Sequence, residues 1–254
     1  MSRVILETHD LTVRFGGHVA VDHVSCAFKT GELTAIVGPN GAGKTTYFNL
    51  ISGQTPASAG RVELNGRDIT RLSVSGRCAR GIGRAFQLTN LFPNLSVLEN
   101  VRLVIQSKSN AGFRLFTMAD SLKQVTARAE EILYKVKLHD LADQVVSALS
   151  HGNQRKLEVA MLIALDPAVY MFDEPTAGMS VDEAPVVLDL IAELKAEKDR
   201  TILLVEHKMD VIRSLADRII VLHNGALAAD GDPATVMASD VVQEAYMGKE
   251  LEDV

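Results

Sequence analysis

Three short apolar runs are the clearest pattern along the chain, and each predicts a buried β-strand. They are Leu33–Val37, Ala168–Phe172 and Thr201–Val205. Apolar residues at helical spacing predict a core-facing helix over Glu183–Lys198, between the second run and the third. Strands that alternate with helices indicate a largely parallel sheet, so the pattern predicts an α/β fold.

Shorter strand patterns lie on either side of this core. Asn-Gly is the strongest two-residue turn signal, and at positions 65 and 66 it predicts a hairpin over Arg61–Ile69. The same pair at 224 and 225 predicts a hairpin between Arg218–His223 and Ala226–Ala229. Three further strands are predicted over Arg3–Glu7, Leu11–Phe15 and Val24–Lys29. The N-terminal third therefore predicts an antiparallel β subdomain beside the parallel sheet.

Helical spacing replaces the strand pattern from about residue 96 to residue 148. Apolar residues recur every three or four positions, and Ser107–Asp120 between the two sets predicts a loop or a frayed helix. The apolar positions are Val97, Val101, Val104, Ala129, Ile132, Leu133 and Val136. We predict a helical subdomain over about 96–148, inserted into a core that residues 1–95 and 149–254 form as one domain.

Composition narrows the class of protein only slightly. The 254 residues are 47% hydrophobic and 23% charged, which is typical of an ordinary globular protein. A net charge of −6 argues against a dedicated nucleic-acid binder, whose binding face would be basic. Cys26 and Cys78 match no metal or redox spacing. The N-terminus lacks the apolar core of a signal peptide, and no run approaches the ~18 apolar residues that span a bilayer.

The most specific chemical signal follows the first buried run. It matches the pattern G-x-x-x-x-G-K-[ST] between a predicted strand and a predicted helix, Lys44–Ser52, which is the setting of a phosphate-binding loop. Glycines let backbone N–H groups point inward at a helix N-terminus. Lys44 is expected to reach the β- and γ-phosphates, and the Thr45 hydroxyl to bind Mg²⁺. The loop comprises Gly38, Pro39, Asn40, Gly41, Ala42, Gly43, Lys44, Thr45 and Thr46.

Two acids follow the second buried run. Asp173 and Glu174 come directly after Ala168–Phe172, at the carboxyl end of the predicted strand. Asp173 is expected to hold Mg²⁺ through water, and Glu174 to polarise the attacking water. A pair of helix-capping acids is the alternative, and the complete phosphate loop elsewhere in the chain favours the catalytic interpretation.

Five further segments, together with the loop and the acids, resemble those of ATP-binding-cassette (ABC) ATPases. Leu149–Gln154 resembles the family signature LSGGQ, and Ala177–Ser180 occupies the place of the loop after the catalytic acid. Gln87, His207 and Phe15 stand where the family has its glutamine loop, its switch histidine and an aromatic residue. The resemblance covers about residues 6–248 and implies a P-loop NTPase core with a mainly parallel sheet.

The resemblance implies a role for each of these residues. Gln87 would touch Mg²⁺ and the attacking water, and Phe15 would stack on adenine. His207 would face the γ-phosphate from the end of its strand. The signature residues Ser150, His151, Gly152 and Gln154 would bind the ATP of a second subunit, so that a homodimer or heterodimer sandwiches two nucleotides.

Three positions depart from the family pattern. His151 replaces the first glycine of the signature, Asn153 replaces its glutamine, and Ser180 stands where an aspartate is common. Gly152 still allows a close approach of backbone to phosphate. The helix that begins near Ser150 aims its positive end at the anion. We expect the signature site to work despite these changes.

Within the ABC family, several segments resemble ATPases of branched-chain amino-acid importers. They are Arg84–Gln87, Arg155–Ala160, Asp173–Met179, Glu206–Ile212 and Ala245–Gly248. The resemblance implies a peripheral subunit on the cytoplasmic face of the inner membrane, bound to permease subunits. A solute-binding protein outside the cytoplasm would deliver the substrate.

Other functions remain open at this point. Urea or amide importers and lipopolysaccharide exporters are close alternatives within the family. A soluble ABC ATPase that acts on ribosomes or DNA usually has paired cassettes or a long coiled-coil insertion, and this chain shows neither. A small-molecule kinase would share the phosphate loop but would not need the signature segment or His207.

Overall fold

The computed structural model describes residues 3–85, 91–108 and 118–239, with the backbone alone for residues 118–121. The chain divides into two compact units. The first comprises residues 1–82, 168–174 and 194–254, and the second comprises residues 83–167 and 175–193. The predicted helical subdomain, 96–148, falls within the second unit, and its boundaries stay a prediction.

The described strands and helices are as follows. The strands are β1 (Val4–Phe15), β2 (His18–Lys29), β3 (Leu33–Val37), β4 (Ala59–Leu64), β5 (Arg67–Asp68), β6 (Ile82–Arg84), β7 (Val169–Asp173), β8 (Thr201–Val205), β9 (Arg218–His223) and β10 (Ala226–Gly231). The α-helices are α1 (Lys44–Ser52), α2 (Val74–Cys78), α3 (Val97–Lys108), α4 (Met118–Lys135), α5 (His151–Leu165), α6 (Ala184–Ala196), α7 (Met209–Leu215) and α8 (Pro233–Met237).

The core sheet has six strands in the order β10-β9-β3-β8-β7-β6. β3 pairs in parallel with both β8 and β9, and β7 pairs in parallel with β8. All five residues of β3 and of β8 are buried, as expected for strands covered on both faces. The α/β fold with a mainly parallel sheet is confirmed, and the three apolar runs form its centre.

A second sheet, with the order β2-β1-β4-β5, is antiparallel, as the sequence predicts. The prediction of separate strands over Arg3–Glu7 and Leu11–Phe15 is wrong, because they form one continuous strand, β1. The pairing of β1 with β2 shifts between Thr8 and Leu11, where Asp10 has φ 46°. A bulge of this kind interrupts the alternation of apolar residues without ending the strand.

Helix α1 packs its apolar face into the core of the first unit. Tyr47, Phe48 and Ile51 are fully buried. Its last turn contacts Arg77, a residue that the sequence pattern did not single out and that is only 2% exposed. The Arg77 guanidinium donates to the carbonyl oxygens of Leu50 and Ile51, each at 2.6 Å. A cation at a helix C-terminus satisfies carbonyls that have no partner within the helix.

The second unit is largely helical. Apolar residues of α3 and α4, among them Val97, Val101 and Ile132, are fully buried, in agreement with their predicted spacing. Most of the predicted loop over 107–120 lies outside the described residues, as does the segment Ala245–Gly248. None of the helices in the described parts of the chain is both long and apolar enough to cross a bilayer.

Candidate nucleotide-binding site

The predicted phosphate loop connects β3 to α1 within the first unit. Gly38, Gly41 and Gly43 have φ values of 149°, 82° and 95°, which residues with a side chain rarely adopt. A Cβ at Gly43 would lie 2.5 Å from the carbonyl oxygen of Ala20, and one at Gly38 would overlap the carbonyl oxygen of Leu222. Backbone packing therefore requires glycine at both positions.

The Lys44 side chain folds across this loop. Its Nζ donates to the carbonyl oxygens of Gly38, at 2.7 Å, and Pro39, at 2.9 Å. The ammonium group thus lies at the loop and at the N-terminus of α1, where the helix dipole favours an anion. Thr45, the predicted ligand of Mg²⁺, is exposed one residue later.

Three neighbouring strands end at the same edge of the core sheet. Ile36 pairs with Val205, and Val205 also pairs with Asp173, so these residues form a row across β3, β8 and β7. The chain after each of them carries predicted chemistry: the phosphate loop after β3, Glu174 after β7 and His207 after β8. Ligands bind at the carboxyl ends of strands in such sheets.

Glu174 has an unusual backbone conformation at this edge. Its φ of 49° lies in the left-handed region, and its N–H donates to the carbonyl oxygen of Val205 at 2.9 Å. The side chain is 45% exposed, and its Oε1 lies 4.0 Å from Nδ1 of His207. Left-handed backbone in a residue other than glycine concentrates at functional sites, where the surrounding structure maintains it.

Glu206 is a site residue for which the sequence analysis predicted no role. It is 1% exposed, and its Oε2 accepts a 2.8 Å hydrogen bond from the backbone N–H of His207. The same oxygen lies 3.5 Å from Nδ1 of His207. An acid directly after a fully buried strand was the available signal, because a carboxylate is seldom buried without a partner.

Of two other predicted residues, Phe15 lies within the described part of the chain and Gln87 does not. Phe15 ends β1 and is 54% exposed, so its ring is accessible to a planar ligand. Gln87 lies outside the described residues, as does the preceding Phe86. Their predicted roles stay predictions.

The signature segment lies in the second unit, where Ser150 caps the N-terminus of α5. Its Oγ accepts a hydrogen bond from the N–H of Asn153 at 3.2 Å. Gln154 donates through Nε2 to the carbonyl oxygen of Leu149 at 3.3 Å. His151 is exposed, whereas Gly152 is buried. Burial raises the pKa of Glu158 and lowers the pKa of Lys156 in the following turns of α5.

Comparison with known proteins agrees with this arrangement. Residues 21–177 match the ABC transporter family, so the chain belongs to that family and is an ATP-binding cassette with ATPase activity. It is 35% identical to the high-affinity branched-chain amino acid transport ATP-binding protein BraF of Pseudomonas aeruginosa. The alignment covers 98% of this chain and 100% of BraF.

Solved structures of ATP-binding cassettes share the fold. The ADP conformation of MJ1267, a cassette of an ABC transporter, has a TM-score of 0.80 and 30% identity, covering 97% of this chain and 100% of that one. The cassette MJ0796 has a TM-score of 0.78 and 26% identity, covering 90% and 98%. The latter structure is a dimer in a post-hydrolysis state, bound to ADP and phosphate.

Proposed function

We propose that the chain is the ATP-hydrolysing subunit of an importer for branched-chain or related amino acids. It would bind permease subunits at the cytoplasmic face of the inner membrane, with a solute-binding protein on the other side. The observation that carries the proposal is the similarity to BraF over the full length of both chains. The phosphate loop, Glu174 and His207 all follow strands that end at one edge of the core sheet, and this position supports a role in ATP hydrolysis.

The residues at the carboxyl ends of β3, β7 and β8 have the chemistry that a magnesium complex of ATP requires. The loop has the positive φ values that turn backbone N–H groups toward an anion, and Lys44 is held there by two neutral carbonyls that phosphate oxygens can replace. The hydroxyl of Thr45 and the carboxylate of Asp173 are hard oxygen donors of the kind that Mg²⁺ prefers. We propose Gln87 as a further ligand and Phe15 as the platform for adenine. Mg²⁺ would neutralise charge on the β- and γ-phosphates.

Glu174 would act as the general base. A water oxygen attacks the γ-phosphorus, the bond from that phosphorus to the β–γ bridging oxygen breaks, and Glu174 accepts the proton of the water. The products are ADP and phosphate. His207, held by Glu206, would keep the water and the γ-phosphate in line.

A second cassette would complete each site. The signature turn, Ser150–Gln154, lies at the N-terminus of α5 and offers N–H groups and a helix dipole to a phosphate. In the proposed dimer, this turn binds the ATP held by the phosphate loop of the other subunit, as an activating residue supplied in trans does elsewhere. The partner is a second copy or a similar chain.

Reconstitution with the cognate permeases and the solute-binding protein tests the transport function. We expect ATP hydrolysis to rise when leucine, isoleucine or valine is present with the binding protein, and the labelled amino acid to enter proteoliposomes. The Glu174→Gln variant in the same complex is the matched control and should support neither. Stimulation by urea or short amides alone, or movement of lipopolysaccharide out of the membrane, would overturn the amino-acid assignment and leave the ATPase intact.

A further inference from the structure

Two of the three departures from the family pattern, His151 and Ser180, lie in one cluster of the second unit. The cluster joins the start of α5 to the loop Ala177–Ser180 that follows the proposed catalytic acid in the sequence. Each departure makes a contact that neither glycine nor aspartate would make in the same way. Glu183, which precedes α6, binds Ser180 and lies against Gly152, the neighbour of His151 in the signature turn.

His151 covers the glycine of this loop. Gly178 has φ 72°, and a Cβ there would lie 3.3 Å from Cδ2 and 3.4 Å from Nε2 of the His151 ring. The imidazole therefore occupies the space beside Gly178 at close contact distance. A glycine at position 151 would leave that space open.

Ser180 is bound to Glu183. The Ser180 backbone N–H donates to Oε2 of Glu183 at 3.2 Å, and its hydroxyl donates to the same oxygen at 3.1 Å. The N–H of Ala184 closes the first helical bond to the carbonyl oxygen of Ser180 at 3.1 Å. This is the Glu-to-backbone half of a capping box, S-x-x-E, at the start of α6. An aspartate at 180 would bring a second negative charge against Glu183.

The same carboxylate lies against the signature glycine. A Cβ added to Gly152 would overlap the Cδ and both carboxylate oxygens of Glu183, which are the three nearest atoms to that position. The charge of Glu183 also favours the protonated form of Lys156, one turn further along α5, against the effect of burial. One carboxylate thus contacts the loop and the signature glycine, and its charge acts on a lysine of the signature helix.

We propose that Glu183 is a positioning residue, which fixes the signature turn Ser150–Gln154 to the loop Ala177–Ser180. Glu183 accepts hydrogen bonds from Ser180, and its carboxylate packs against Gly152. These contacts hold the N–H groups at the start of α5 in the orientation that the partner's ATP requires. The inference rests on the proposed function for its catalytic consequence. The contact itself requires no nucleotide.

A thermal double-mutant cycle tests the contact without ATP. Gly152→Ala should change the Tm less favourably in the wild type than in a Glu183→Ala background, because the new methyl group must push the carboxylate away from Ser180. In the Glu183→Ala background the obstructing atoms are absent, and alanine is favoured over glycine within a helix. Equal changes in Tm in both backgrounds would overturn the proposed contact, because independent sites are additive.

Kinetics test the positioning role. Glu183→Ala should reduce kcat by between about ten- and a hundredfold and weaken ATP-dependent dimerisation, with the Kd of the monomer for ATP unchanged. Glu183→Gln, whose amide oxygen still accepts from Ser180, should recover most of the loss. Asp182→Ala, which removes the exposed neighbouring acid, is the matched control and should behave like the wild type.

The results separate this inference from the proposed function. A wild-type chain that hydrolyses no ATP would refute the proposed function, while the thermal cycle would still decide the contact. A Glu183→Ala variant with wild-type kcat, or a Glu183→Gln variant as slow as Glu183→Ala, would overturn the positioning role. If Glu183→Ala does not fold, the exposed Ser180→Ala variant replaces it, with a loss in kcat in the same direction expected.

Discussion

In the proposed mechanism, the phosphate loop and the signature turn each present a helix N-terminus to phosphate, but the two are built differently. In the phosphate loop, the conformation arises from three glycines and a lysine within nine residues. In the signature turn, Gly152 and His151 are in contact with Glu183 and Gly178, which lie well over twenty residues further along the chain. The phosphate loop takes its backbone angles and its lysine from one short segment, although Gly38 and Gly43 also pack against Leu222 and Ala20. The signature turn takes its side-chain contacts from a distant segment.

This difference explains why motif matching works better for one than for the other. A loop that binds through its main chain needs particular backbone angles, and glycine positions report those angles directly. A turn whose contacts come from another segment tolerates substitutions if the two segments change together. His151 and Ser180 are departures of this second kind.

The largest effect is expected at the proposed catalytic acid. Glu174→Gln should reduce ATP hydrolysis by a factor of ~10²–10⁴ because no other carboxylate is proposed to accept the proton of the water. Steady-state phosphate release measures it, and calorimetry should show that ATP still binds. The control is Glu130→Gln, on the exposed side of α4. A Glu174→Gln variant with wild-type turnover would remove Glu174 from the mechanism.

The Arg77→Ala variant tests whether α1, the helix after the phosphate loop, depends on a contact with a residue distant in sequence. Arg77→Ala should lower the free energy of unfolding by about 3 kcal/mol, because it leaves buried carbonyls at the end of α1 without donors. Denaturant titration measures the change. Arg80→Ala, an exposed neighbour, should stay within about 0.5 kcal/mol of the wild type. Equal stabilities of the two variants would show that α1 does not depend on this contact.

The Lys44→Ala variant tests how much the phosphate loop contributes to ATP binding. Lys44→Ala should weaken ATP binding by about 1.5–3 kcal/mol, or roughly ten- to a hundredfold, since a charged hydrogen bond to phosphate is lost. Calorimetry with ATP and Mg²⁺ gives the Kd, and Lys123→Ala on α4 is the control. An unchanged affinity would mean that Lys44 keeps its contacts with Gly38 and Pro39 when nucleotide binds.

A smaller effect is expected at His207. His207→Ala should slow hydrolysis by about tenfold, or ~1.4 kcal/mol, with little change in ATP affinity, because the residue positions the reacting groups and does not accept the proton. Single-turnover kinetics separate the chemical step from binding. His139→Ala, far from the sheet edge in sequence and on a 3₁₀ turn, should leave the rate as it is.

Much of the fold could be predicted from the sequence, because its core strands are continuous apolar runs. The limits of α1 and β8 agree with the predicted ones residue for residue. Short elements such as α2 and α8 were missed, since five residues carry too little periodicity. Glu206 was also missed, although its position after a buried strand was a signal. Arg77 and Glu183 were missed because Arg77 binds Leu50 and Ile51, and Glu183 lies against Gly152, all distant in sequence.

The most direct test of the account is the association state of Glu174→Gln in the presence of ATP and Mg²⁺. If the phosphate loop of one chain and the signature turn of another bind the same nucleotide, sedimentation should show a dimer with ATP and a monomer with ADP. Gly152→Ala in the same background should reduce the dimer fraction. A chain that stays monomeric at saturating ATP would contradict the two-chain site.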